Sequence, residues 1–140
     1  MLRAWILGKI DRKRYLALTP LAFEAAVNGD PIAVEIIVRQ GEGLAEYATT
    51  LIRKFGMEAM DVDVVLSGSV FKGVGPLLVD TITACVHRVA PRANLVRACF
   101  EPVIGSVLLA YDALHLPVSE SMYANLAKTA PGEAFFSTKE

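Results

Sequence analysis

The sequence lacks most of the marks of an extracellular, membrane-spanning or nucleic-acid-binding chain. Its two cysteines, Cys85 and Cys99, show neither C-x-x-C nor Cys/His ligand spacing, which argues against a disulfide framework or a zinc site and for reduced thiols in apolar surroundings. No stretch reaches the roughly 18 uninterrupted apolar residues of a membrane span. The opening segment MLRAWILGKIDRKR has too short an apolar run and no small-residue cleavage site, so no signal peptide is expected. Charge of one sign is also missing: 14 basic and 15 acidic residues leave a net charge of -1, no field for nucleic acid or an anionic membrane. The one basic cluster, Lys9, Arg12, Lys13 and Arg14, carries no nucleic-acid motif and reads as solvated surface. A cytoplasmic protein with neither nucleic acid nor membrane as partner is expected.

What the chain does have is apolar residues, 54% of 140, with a mean hydropathy of +0.43. That supports one domain, or a piece of one, with a real core and some apolar surface left for a partner. Thr19-Pro20 and Asn28-Gly29 bound a short helix of about 20–28, and Asp30-Pro31 opens a long one. Ile32, Ile36, Ile37, Leu44, Tyr47, Ala48, Leu51, Ile52 and Phe55 recur near a helical period up to Gly56. Gly41 and Gly43 interrupt this helix at about 1 kcal/mol each relative to alanine, which calls either for close packing or for a bend. Val62–Leu66 is short, β-branched and apolar, as a strand covered on both faces should be. A turn over 67–75 follows, then a helix from Pro76 closed by Pro91, a second strand near 94–98, a helix from Glu101-Pro102 to Pro117, and a weaker helix over 119–128. Strand, helix, strand, helix without hairpin signals predicts an α/β unit with parallel strands.

The turn carries the functional interest. Beyond the C-terminal end of a strand in an open α/β sheet, a glycine turn entering a helix is a common ligand position, and glycine admits a ligand close to the backbone. Ser67-Gly68-Ser69 stands there. The dinucleotide fingerprint fails after Gly68, because Ser69, Val70, Phe71 and Lys72 break it. The P-loop fails too, because Val74-Gly75 follow Gly73 where Lys and Ser/Thr are needed. The G-x-S-x-G nucleophile elbow is likewise absent.

Three segments in order, AFEAAVNGDPIAVEII, DVVLSGSVFKG and ANLVRACFEPVIGSVLLAYDAL, resemble the C-terminal half of the BadF/BadG-type ATPase and N-acetylglucosamine kinase family. Ala26, Gly29, Asp30 and Ala33 match its A-x-x-G-D-x-x-A pattern, and Ser67-Gly68 stands where the family has two adjacent glycines. Glu101, Pro102 and Gly105 match its E-P-x-x-G-A pattern, with Ser106 in place of alanine. The resemblance covers about 14–116 and implies an RNase H-like half of an actin-like ATPase fold, with short parallel strands and long packing helices. It further implies ATP in a cleft between two such halves, with Ser67, Gly68, Ser69 and Val70 on the ribose and adenine side, Phe71, Lys72 and Gly73 close by, and Gly105 letting the last helix pack near the hinge. Ser67 departs from the pattern and adds a Cβ where the nucleotide approaches.

The family's D-G-G-x-T-like phosphate hairpin does not occur in these residues. The expectation is therefore an adenosine-nucleotide-binding half of an ATP-dependent sugar kinase, with no catalytic or metal-ligating residue of its own and Mg²⁺ held by the other half. The kinase branch is favoured over the activator ATPases, whose cluster-binding cysteine pair Cys85 and Cys99 do not reproduce. Asp61, Asp63, Asp80, Asp112, His87 and His115 read as capping, solvated or structural groups. The expected organisation is an N-terminal helical segment over 1–18, the nucleotide-binding domain over 19–116, and a C-terminal helix with a mobile tail over 117–140. The expected partners are ATP or ADP and either an N-terminal phosphate-binding domain or a second copy of the chain. The alternative is a non-catalytic α/β interaction module that homodimerises.

Overall fold

The computed structural model describes residues 8, 11, 16–98, 100 and 102–130. The expected helical segment over 1–18, the tail beyond 130 and Cys99 therefore lie largely or wholly outside the described residues. The chain divides into two compact units, Met1–Val96 and Arg97–Glu140.

In the first unit α1 spans Leu18–Val27 and α2 spans Pro31–Lys54. Helix α1 starts before the expected Thr19 cap, so Pro20 falls in the first turn, where its missing N–H has no intrahelical bond to lose. Its end follows from Gly29 at φ +86: Gly29 N–H donates to the Ala26 carbonyl and Asp30 N–H to that of Ala25, both at 3.0 Å. This is a Schellman closure, which satisfies carbonyls the helix leaves open. Asp30 then caps α2, its Oδ1 accepting from Ile32 N–H at 2.9 Å and Ala33 N–H at 2.8 Å, with Pro31 at the first helical position. A second Schellman closure ends α2, with Gly56 at φ +66 and Met57 N–H on the Ile52 carbonyl at 2.9 Å. Arg53 and Lys54 in the last turn complement the helix dipole.

β1 (Asp63–Leu66), a single 3₁₀ turn over Ser69–Lys72, α3 (Leu77–His87) and β2 (Asn94–Arg97) complete the unit. The two strands form one parallel pair joined through α3, with Asn94 N–H bonded to the Val62 carbonyl at 2.8 Å. The core gathers Phe23, Ile37, Ala45, Ile52, Leu66, Leu78, Ile82, Val86, Ala90 and Ala93. Val62, Val64 and Leu66 face it, while Asp63 and Val65 face away, Val65 being 58% exposed. The expectation of a strand covered on both faces is thus corrected: alternation along β1 leaves one side without cover among the described residues. Gly41 resolves the choice between packing and bending. A Cβ there would lie 2.8 Å from the Thr81 side chain and 3.3 Å from the Leu78 carbonyl, so α2 runs unbroken and α3 packs directly on its glycine.

The second unit holds α4 (Pro102–Ala113) and α5 (Glu120–Thr129). Among its described residues Ile104 is the buried apolar one, and Phe100 stacks on Tyr123 with ring centroids 6.5 Å apart. α4 also ends in a Schellman closure, here with His115 at φ 54 and Leu116 N–H on the Tyr111 carbonyl at 3.0 Å. Ser119 caps α5 by accepting from Met122 N–H at 3.2 Å. No helix among the described residues is long and apolar enough to cross a membrane.

Candidate functional site

The turn after β1 is built by two kinds of glycine. Gly68 has φ +119 and ψ 163, a conformation open essentially to glycine alone. A Cβ built on it would meet nothing within 4 Å. Its constraint is therefore one of backbone angle, and the space beside it is free of the described residues. Gly73 has an ordinary φ of -59, yet a Cβ there would come within 2.6 Å of the buried Phe23 ring. Gly75, at φ +82, would meet Val27 at 2.7 Å. Gly73 and Gly75 thus let the turn lie against α1, and Gly73 needs no ligand to explain it.

Between these glycines, Phe71 N–H donates to the Gly68 carbonyl at 3.2 Å and Gly73 N–H to that of Val70 at 3.4 Å, which closes the 3₁₀ turn. Ser67, Gly68, Ser69 and Lys72 are exposed, while Val70 and Phe71 are half-buried against the core. Of the sequence-selected residues, Ser67 to Gly73 therefore share one surface turn. Gly105 belongs to the second unit, half-buried in α4, and a Cβ on it would meet nothing within 4 Å. The turn enters α3, whose first turn holds Asp80. That carboxylate already supplies negative charge at the positive end of the helix.

Of the acidic and histidine residues set aside on sequence grounds, Asp61, Asp63 and His87 have structural partners. Asp61 pairs with the Arg92 guanidinium through both oxygens, and Arg92 also donates to the Ala59 carbonyl at 3.0 Å. This clamps the approach to β1 against the approach to β2. Asp63 accepts from Asn94 Nδ2 at 3.3 Å across the strand pair. His87 Nε2 lies 2.9 Å from the Ala93 carbonyl, a bond that requires the proton on Nε2. No group of three or more His, Cys, Asp or Glu that could hold a metal ion occurs among the described residues. Cys85 is a free thiol, half-buried, with Arg88 Nη2 at 2.9 Å from its sulfur.

The chain matches no protein-family model and no solved structure. Among curated proteins it is similar to N-acetyl-D-glucosamine kinase of Dictyostelium discoideum, 28% identical over 102 residues, 72% of this chain and 32% of that protein. The chain thus spans about a third of the length of the curated relative it matches. This is a distant kinase-like relationship.

Proposed function

We propose that these residues form the adenosine-side half of an ATP-dependent sugar kinase resembling N-acetylglucosamine kinases and BadF/BadG-type ATPases, an RNase H-like unit of the actin-like class acting in the cytoplasm. The likeness to a curated N-acetyl-D-glucosamine kinase carries the kinase reading. Gly68 carries its location: an exposed glycine at φ +119, with free space beside it, just past the C-terminal end of β1. Ribose and adenine are neutral and adenine is flat, and a turn without a Cβ at its crest lets them lie against the backbone.

Ser67, Ser69 and Lys72 would border the nucleotide, Val70 and Gly73 would support the turn, and Gly105 would serve the hinge. The donor set does not suit the phosphates. Asp80 disfavours a second anion at the head of α3, and no group of three or more His, Cys, Asp or Glu that could hold a metal ion gathers among the described residues. Phosphoryl transfer needs the metal, the phosphate clamps and an orienting base in one cleft. Those parts would come from a phosphate-binding domain, on the same polypeptide or another.

Calorimetry with ADP and ATP on the 140-residue chain tests the reading. Weak binding of both is expected, lost in Gly68→Asp, with no phosphate transfer to N-acetylglucosamine. Absence of any nucleotide binding overturns the site, and turnover by these residues alone overturns the half-enzyme reading.

A further inference from the structure

Helix α1 is apolar along most of its length, yet Phe23 is the side chain it buries. Phe23 is 4% exposed, while Leu18, Leu21 and Val27 are exposed by 56%, 56% and 60%. The Phe23 ring belongs to the core with Leu66, Leu78 and Ile82. The same ring meets the turn after β1: a Cβ on Gly73 would lie 2.6 Å from ring carbon Cδ1 and 2.7 Å from Cε1 and Cγ. All three nearest atoms belong to the ring, so the Gly73 backbone rests on it with no room for a methyl group. Four residues on, and therefore on the same side of the helix, Val27 stands 2.7 Å from the place of a Cβ on Gly75.

The turn itself is weakly closed. Its two 3₁₀ bonds, at 3.2 and 3.4 Å, lie at or beyond the long end of the usual range. Gly68, Gly73 and Gly75 also lose more conformational freedom on being fixed than any other residue would. A turn so built takes its shape from what it rests on.

We propose that Phe23 is a positioning residue for the adenosine-side turn: its ring, held by the core, fixes the backbone over 69–73 in the form that accepts a nucleotide. Phe23 is buried and acts through Gly73, without touching the nucleotide. The role rests on the turn being the nucleotide half-site proposed above. It makes the seating of α1 and the binding of nucleotide linked equilibria. Whatever lifts Phe23 from Gly73 weakens the nucleotide, and bound nucleotide holds α1 down by the same factor.

Calorimetry with ADP on the full 140-residue chain tests this role, together with backbone ¹⁵N order parameters over 67–73 in the free chain and circular dichroism to confirm folding. Phe23→Ala should weaken ADP at least tenfold and lower the order parameters of the turn from the rigid range of about 0.85 toward about 0.6. Gly73→Ala should also weaken ADP at least tenfold. Added to Phe23→Ala it should cost nothing more, because no ring is left for its methyl group to meet, a coupling that a double-mutant cycle isolates. Val86→Ala opens the core elsewhere: Val86 is 0% exposed and stands nine residues beyond Leu77 along α3, about 14 Å from the turn's end of that helix. It should leave ADP affinity and turn order unchanged. If Phe23→Ala does not fold, Phe23→Leu carries the comparison, with at least threefold weaker binding expected.

Three results overturn the role: turn order unchanged when Phe23 is replaced; Gly73→Ala as costly to ADP binding without the ring as with it; or Val86→Ala as damaging to binding as Phe23→Ala. An unmodified chain that binds no ADP overturns the nucleotide reading and the linkage with it, and the order parameters alone then decide whether Phe23 fixes the turn.

Discussion

In the seam between α2 and α3, Gly41 has helical angles that any residue could adopt, and what it supplies is room for Thr81 and the Leu78 carbonyl. In the turn after β1, Gly68 has room to spare, and what it supplies is a backbone angle. One glycine is held by its neighbours and the other by its own dihedral. A side chain at the first must push a packed helix aside, because the interior is close-packed and yields little. A side chain at the second meets no atom and strains only its own residue. The seam is thus the part of the molecule that resists change as a whole, and the turn is a local device on its edge.

Substitutions can break or sharpen this contrast. Ile82, 2% exposed on the α3 side of the seam, should give the largest effect: Ile82→Ala is expected to cost about 2–5 kcal/mol through lost burial and the cavity left behind, read from urea unfolding. Gly41→Leu should follow at up to about 3 kcal/mol by overpacking. Thr81→Ala, by removing Cγ2, one of the two atoms nearest the new side chain, should recover part of that loss. A Gly41→Leu protein as stable as the unmodified chain would show that the seam is looser than its distances state.

Gly68→Ala should cost about 1–2 kcal/mol from backbone strain alone, and unlike Gly41→Leu it should not be relieved by trimming any neighbour. The smallest effect belongs to a third closure. His115 holds φ 54 at the end of α4, where α1 and α2 have glycine, so His115→Gly should relieve backbone strain and raise stability by about 0.5–1 kcal/mol in thermal unfolding.

Much of the element plan was legible because helix ends are written locally. Asp30-Pro31 opens α2 and Gly56 closes it through bonds between near neighbours in the sequence. Asn28-Gly29 closes α1 in the same way, and Ser119 opens α5. Strand β1 was legible as a strand but not in its cover, since Val64 and Val65 are the same residue and only the fold turns one to the core and the other outward. The turn over 67–75 was visible as a cluster of glycines, but their separate reasons were not. Gly73 answers to Phe23, fifty residues earlier, and no local pattern reports so distant a contact.

By itself the sequence determined where helices start and stop and that two short apolar strands flank a crossover helix. It could do so because capping and hydrophobic periodicity act over a few residues. Tertiary structure alone decided that Gly41 faces inward and Gly43 outward, that Gly73 is a packing glycine while Gly68 is a conformational one, and that one side of β1 goes uncovered among the described residues. Those are questions of which atoms meet across long stretches of chain, and only the packed arrangement answers them.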